Sequence, residues 1–277
     1  MKVLKGLFVA VLSSSILMLA SCGKNKPKEL NPDEVIRRTM LKSLSVDSVA
    51  FDGNVNFRIR GQKTISGSAY VSGVTHNADR AWSMISKVHI DDPESSLEIN
   101  LVSQKPSEIY LKINPDADAG GKIIQSSGAT FGQWWRLGYS SGTSVADKAV
   151  TPDPRIIYKY SSILKVTSGG LRADGRYYQY GVSISPVSLA EKNILASWEF
   201  KKEAIGEVLI DAESFRLKQV KWALDSVPTP IGEAYLVLDI RFSKYDEAPG
   251  LIIPDSSGSS LLDLEAIQNL LQMIELY

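Results

Sequence analysis

The chain has 277 residues, of which 44% are hydrophobic and 22% charged, with a single cysteine and 31 basic residues against 31 acidic ones. This composition excludes a disordered or fibrous chain and a disulfide-built scaffold. Removing Lys2 and Lys5 with the leading segment leaves an acidic excess of two, the opposite of the basic surface that nucleic-acid binding requires.

Lys2 and Lys5 precede an apolar run from Gly6 to Leu19, and small residues lead from there into Cys22. A positive start, a short apolar run and a small-residue cleavage site mark a secretory signal rather than a transmembrane helix. Leu19-Ala20-Ser21-Cys22 resembles the lipobox of bacterial lipoproteins. That resemblance implies a signal peptide over 1–21 and a diacylated Cys22 (palmitate-type chains, often with an acylated amine) as the new N-terminus. It also implies a lipid anchor in the cell membrane, on its extracytoplasmic face. One acyl chain anchors only marginally, at about 0.8 kcal/mol per buried methylene, so the second chain matters. Residues 22–30 read as the lipidated tether. Lys24, Lys26 and Lys28 either add about 1 kcal/mol each near an anionic leaflet or are simply solvated. No later stretch is apolar and long enough to span a bilayer.

After the tether, Asn31 is a fitting N-cap, Pro32 fits the first helical position, and Asp33 and Glu34 suit the positive end of the dipole. A helix is expected to about Leu44, with Val35, Ile36, Met40 and Leu44 as its apolar stripe. Strict alternation follows. Val49, Phe51, Val55, Phe57 and Ile59 share one parity while Asp52, Asn54, Asn56, Arg58 and Arg60 share the other, the signature of a half-buried strand. Gly61-Gln62 turns into a strand over 63–74 whose inner positions Gly67, Ala69 and Gly73 are small. Further strands are expected near 80–90, 95–104 and 107–114, separated by Asp92-Pro93 and Lys105-Pro106, a meander of hairpins.

In the second half, 117–132 reads as a glycine-rich loop and 133–137 as a strand. Thr151-Pro152-Asp153-Pro154 opens a helix to about Leu164, and 175–184 is a tyrosine-rich strand. Ser185-Pro186 opens another helix to about Ser197, and strands follow near 204–211, 215–224 and 233–244. The parity change between Leu217 and Val220 predicts a bulge and hence curvature. After a flexible link at 255–259, Ser260-Leu261-Leu262-Asp263 reads as a variant capping box. Leu264, Ile267, Leu270, Leu271 and Ile274 then form the stripe of an amphipathic helix, packed on the sheet or acting as a lid.

The helix, the long meander, and the segments Gln133 to Leu137, Tyr177 to Val182 and Glu207 to Leu217 resemble the lipoprotein-carrier superfamily of the LolA/LolB and LppX/LprG type. In Glu207 to Leu217 an Ile-Asp pair closes one strand of a hairpin. The resemblance implies an α+β fold over 31–250, a strongly curved antiparallel half-barrel sheet covered on its concave side by helices, with 251–277 as linker and amphipathic helix. It also implies an apolar cavity that holds acyl chains. Candidates to line it are Phe57, Ala69, Trp82, Met84, Trp134, Trp135, Trp198, Trp222 and Leu238; ordinary core packing is the competing role for each. The small residues Gly67, Ala69 and Gly73 are expected to leave room there.

Catalytic patterns are not found. His76 and His89 sit in no metal or triad spacing, and Asn114 to Gly121 resembles a calcium loop without its closing acid. Ser162-Ile163-Leu164-Lys165 matches S-x-x-K without the motifs that accompany it in enzymes. The expected function is a membrane-anchored extracytoplasmic lipoprotein that binds a lipid or other hydrophobic ligand, as carrier or sensor, with no enzymatic activity, cofactor, metal or nucleic acid. The alternative is an interaction module for a cell-envelope protein or glycan; a hydrolase ranks third. Cys22→Ala is expected to abolish acyl labelling and to release the protein from membranes or stall its processing. Continued incorporation of labelled acyl chains by Cys22→Ala would contradict the anchor assignment.

Overall fold

The computed structural model describes residues 29–91, 94–105, 108–115, 132–138, 164–185, 202–229, 232–252, 254 and 260–263. The helix α1 spans Pro32–Leu44. Asn31 Oδ1 accepts the Asp33 N–H at 3.0 Å, satisfying one of the donors that a helix start leaves open. Arg37 and Arg38 pair with Glu34 at 2.8 and 2.6 Å, and their hydrogen bonds hold its carboxyl down at about 2. The buried face of α1 is Val35, Ile36, Thr39 and Ser43. Leu44, expected on that stripe, is 48% exposed. The two hydroxyls are buried because each donates to the carbonyl one turn back, Thr39 to Val35 at 2.9 Å and Ser43 to Thr39 at 2.8 Å.

Twelve strands follow among the described residues: β1 Ser48–Arg60, β2 Thr64–His76, β3 Ala81–Ile90, β4 Ser95–Lys105, β5 Glu108–Pro115, β6 Trp134–Gly138, β7 Leu164–Leu171, β8 Tyr177–Ile184, β9 Ala204–Asp211, β10 Leu217–Thr229, β11 Gly232–Ser243 and β12 Ser260–Asp263. They form one sheet in the order β12-β6-β5-β4-β3-β2-β1-β11-β10-β9-β8-β7. Every pairing is antiparallel except β12 on β6, which is parallel. β1 lies centrally and joins the meander β2–β6 to the returning strands β7–β11.

The α+β expectation is therefore corrected. Among the described residues the protein is an open curved sheet with one short helix, and helices covering the concave side are not seen. Leu164, expected to end a helix, begins β7. Ser260–Asp263, expected to cap a helix, pairs with Trp135 to Gly138 as a strand. Its hydroxyl and carboxylate suit a helix start, but the edge of β6 offers backbone partners that no local pattern reveals. The rest of the helices expected at 154–164, 185–197 and 260–277 lies outside the described residues, as do the signal peptide, most of the tether and the loop 117–131. The bulge expected near Leu217 is present as a register shift between Leu217 and Gln219 against β9. A second shift falls between Leu224 and Val227 against β11.

Residues directly opposite in a sheet point to the same side, so the registers trace two faces. One row runs Phe242, Phe51, Gly73, Met84, Leu101, Leu111, Trp135 from β11 to β6. A parallel row runs Trp222, Leu238, Val55, Ala69, Val88, Leu97. The opposite face carries Lys221, Asp239, Asn54, Tyr70, Lys87, Glu98 and Asn114 in line. There Glu98 accepts from Asn100 and Asn114 at 2.9 and 3.1 Å, which lowers its carboxyl below the ordinary value.

On the apolar face, Val35 and Ile36 of α1 join Val49, Phe51, Tyr178, Tyr180, Val208, Ile210, Ile240 and Phe242 in one buried cluster. A second cluster, Ile184, Ala204, Leu224, Val227 and Ala234, is buried with Ile59, Trp222, Leu236 and Leu238 against it. The β9–β10 turn is tied by Asp211 Oδ1, which accepts from the backbone of Glu213 and Ser214 and from the Ser214 hydroxyl. Burial raises the Asp211 carboxyl, but the Ser214 bonds outweigh it and the net shift is downward.

The small inner positions do not leave open room. A Cβ built at Gly73 would lie 2.6 Å from Phe51 Cζ, and one at Gly67 would lie 2.7 Å from Phe57 Cζ. Each ring belongs to the residue directly across on β1, so the phenyl groups cover the glycines. Gly73→Val is expected to lower stability by about 1–3 kcal/mol through overpacking. Gly250→Ala, where nothing lies within 4 Å, is expected to stay within about 0.5 kcal/mol. Urea unfolding of the two variants checks this, and equal effects at both sites would contradict the packing.

Candidate functional site: the apolar face

Of the nine expected lining residues, the structure brings seven onto one face. Phe57, Ala69, Trp82, Met84, Trp135, Trp222 and Leu238 all share the parity of Phe51 through the registers. Trp134 does not. It pairs with Lys112 and faces the polar side, as the immediate neighbour of Trp135 must. Trp198 lies outside the described residues, as does Cys22.

The seven are not equivalent. Ala69 is buried at 8% exposure. Trp222 and Leu238 pack against the second buried cluster, and Met84 packs against the cluster that α1 covers. Phe57 lies over Gly67. Trp82 and Trp135 are half-buried and belong to neither cluster. Around them the alternation of β3, β4 and β5 places Val88, Ile90, Leu97, Ile99, Leu101 and Ile113 on the same face, all half-buried. These six lie outside the expected set; their parity is readable in the sequence, but an aliphatic side chain in an alternating strand carries no mark that separates surface lining from core. Val35 and Ile36 of α1 thus reach only the first buried cluster, the second is buried among strands alone, and much of the β3–β6 part is an apolar surface outside both.

A few polar atoms interrupt this face. Thr75 and Ser103 flank Trp82 in register and are 4% and 0% exposed. Thr75 Oγ1 and the Tyr180 hydroxyl have no hydrogen-bond partner among the described residues. Tyr180 stacks on Tyr178 with centroids 6.1 Å apart and planes 7° from parallel. Burial, with smaller contributions from Tyr178 and Glu29, pushes the Tyr180 phenol up to about 12.

Among the described residues, the histidines are placed away from this surface. His76 Nε2 lies 3.0 Å from the Pro249 carbonyl, and His89 Nδ1 lies 3.3 Å from the Ser96 hydroxyl on the polar side. Among the described residues no three of His, Cys, Asp and Glu gather in a metal-holding group. Of the S-x-x-K match, Lys165 sits in β7 and Ser162 is outside the described residues. The Asn114 to Gly121 segment is described only as far as Pro115.

No protein-family model matches the chain, and no curated protein matches it. Among solved structures it is similar to a DUF1329 family protein from Desulfovibrio piger, at 12% identity over 79% of this chain and 93% of that one, with a TM-score of 0.30. It is also similar to a LolA superfamily protein from Nitrosomonas europaea, at 9% identity over 80% and 96% with a TM-score of 0.25. A third is an outer membrane lipoprotein-sorting protein domain from Vibrio parahaemolyticus, at 9% identity over 87% and 97% with a TM-score of 0.27. Likeness at these scores assigns neither fold nor function, so the reading of this face rests on its own residues.

The Tyr180 phenol supplies a test of burial on the face. Its folded value is raised from 10.0 to about 12, so between those values the unfolded chain loses the proton first and folding stability falls as pH rises. Wild-type stability is expected to drop more steeply than that of Tyr180→Phe across that window, measured by denaturant midpoints. Identical slopes would show that the phenol is not desolvated.

Proposed function

We propose that the protein is an extracytoplasmic lipoprotein, anchored through Cys22, whose apolar face binds a lipid or another hydrophobic molecule as a carrier or sensor. The observation that carries this reading is the β3–β6 surface. Trp82, Trp135, Val88, Leu97, Ile99, Leu101 and Ile113 stand on one side of the sheet, half-buried, outside both buried clusters. Apolar surface left against water is unfavourable by about 25 cal/mol per Å², and an acyl chain laid across these strands removes it. The LolA-type resemblance of the sequence agrees with that use. A lipid anchor would keep the face close to a bilayer, where such ligands reside.

Affinity is then set by buried apolar area. Trp134 and Trp135 give a matched pair of probes, since they differ only in the side of the sheet they face. In the chain beginning at Gly23, an environment-sensitive apolar dye is expected to bind saturably and to be displaced by a fatty acid. Trp135→Ala should weaken that binding by about tenfold, the equivalent of about 1.4 kcal/mol, while Trp134→Ala leaves it unchanged. Absence of displaceable binding, or equal effects of the two substitutions, would favour an interaction module instead.

A further inference from the structure

The polar face of the sheet carries a depression of about 120 Å³ formed by Arg172, Gln179, Glu207, Leu209, Gln219 and Lys221. Gln179, Leu209 and Gln219 lie opposite one another on β8, β9 and β10, and Glu207 lies opposite Lys221 one step along. The floor is therefore the apolar Leu209, half-buried between two amides. Arg172 is brought to the rim by its backbone N–H, which donates to the Tyr177 carbonyl at 2.8 Å.

The partners of this rim leave donors and acceptors of both kinds. Gln179 Nε2 donates to Glu207 at a long 3.4 Å. Gln219 Nε2 donates to Asp239, and Lys221 Nζ lies 3.7 Å from the same carboxylate. The Arg172 guanidinium has no ion-pair partner among the described residues. Two cations thus stand against Glu207 and the adjoining Asp239, and the charges cancel. An anion entering the depression would meet Glu207, and a cation would meet Arg172 and Lys221. A neutral molecule that both donates and accepts, with a C–H face to lay on Leu209, meets no repulsion.

We propose that this depression binds one ring of a neutral saccharide. Vicinal hydroxyls donate to the Glu207 carboxylate and accept from the Arg172 guanidinium and the Gln179 amide, while the ring's C–H face rests on Leu209. Its size fits one ring, since cavities for larger ligands begin at about 300 Å³. The same face continues past Asp239 and Asn54 to Tyr70. Tyr70 and Tyr235 are 45% and 43% exposed and present flat aromatic surfaces for the next rings of a chain. At about 4.8 Å per strand, Tyr70 lies about 14 Å from Lys221, the reach of a short oligosaccharide.

This site lies on the side of the sheet away from the proposed hydrophobic-ligand surface, so the two stand or fall separately. The test is calorimetric titration of the full-length protein in nanodiscs with β-1,4-linked tetramers of glucose and of N-acetylglucosamine. Saturable binding of at least one tetramer is expected, weakened tenfold or more by Arg172→Ala and by Gln179→Ala, unchanged by Trp135→Ala and insensitive to salt. No saturable binding of either tetramer to the wild-type protein would overturn the proposal. Binding that survives both rim substitutions, or that falls steeply with salt, would do so as well.

Discussion

The structure depends on the pairing of β1 on both its edges. Ser48 to Arg60 pair without interruption with β2, and Ala50 to Arg60 pair with β11. Because strand side chains alternate with period two, these registers carry the parity of Phe51 outward in both directions. A slip of one residue would turn every apolar side chain of a strand to the polar side. The result is one continuous apolar face built by strands that lie far apart in sequence. That face then sets the remaining requirements. Where α1 and the strands β8–β11 meet, it closes into a buried core. Where β3 to β6 extend away, Ile109 and Leu111 are buried but Trp82, Val88, Leu97, Ile99, Leu101 and Trp135 are left half-buried, and the proposed hydrophobic ligand would cover these.

Much of the sheet was legible because it alternates. The bounds read for the strands near 80–90, 95–104 and 204–211 fall within a residue or so of β3, β4 and β9. The Asn31-Pro32-Asp33-Glu34 start gave α1 directly, because capping chemistry is local. What local chemistry does not encode was misread. β7 contains Thr167-Ser168-Gly169-Gly170, with a register shift after Val166, and that shift erases the alternation by which a strand is recognised. β12 was read as a helix start because Ser260 and Asp263 suit one, whereas the partner that makes it a strand is β6, more than a hundred residues earlier. The expected helical cover followed from family resemblance rather than from any periodicity of this sheet.

The site was legible in part for the same reason. Phe57, Met84, Trp135, Trp222 and Leu238 could be grouped because each sits in an alternating run, yet naming both Trp134 and Trp135 broke the rule that made the grouping work. The glycines misled in a different way. Gly67 and Gly73 read as empty space along the strand, but the rings that fill it come from the neighbouring strand, and cross-strand neighbours depend on register. The polar depression on the other face has no signature in the sequence, because its lining comes from three strands and a turn, with no spacing in common.

The occupancy of the apolar face can be measured by photo-crosslinking with a fatty acid that carries a photoreactive group along its chain, followed by residue-level mapping of the adducts. Binding to the face predicts an alternating pattern on β3 and β4, with adducts at Trp82, Met84, Val88, Leu97, Ile99 and Leu101. Ile85, Lys87, Glu98 and Asn100 should remain unlabelled. Adducts without that alternation, or confined to the polar face, would contradict the assignment of this surface as the ligand site.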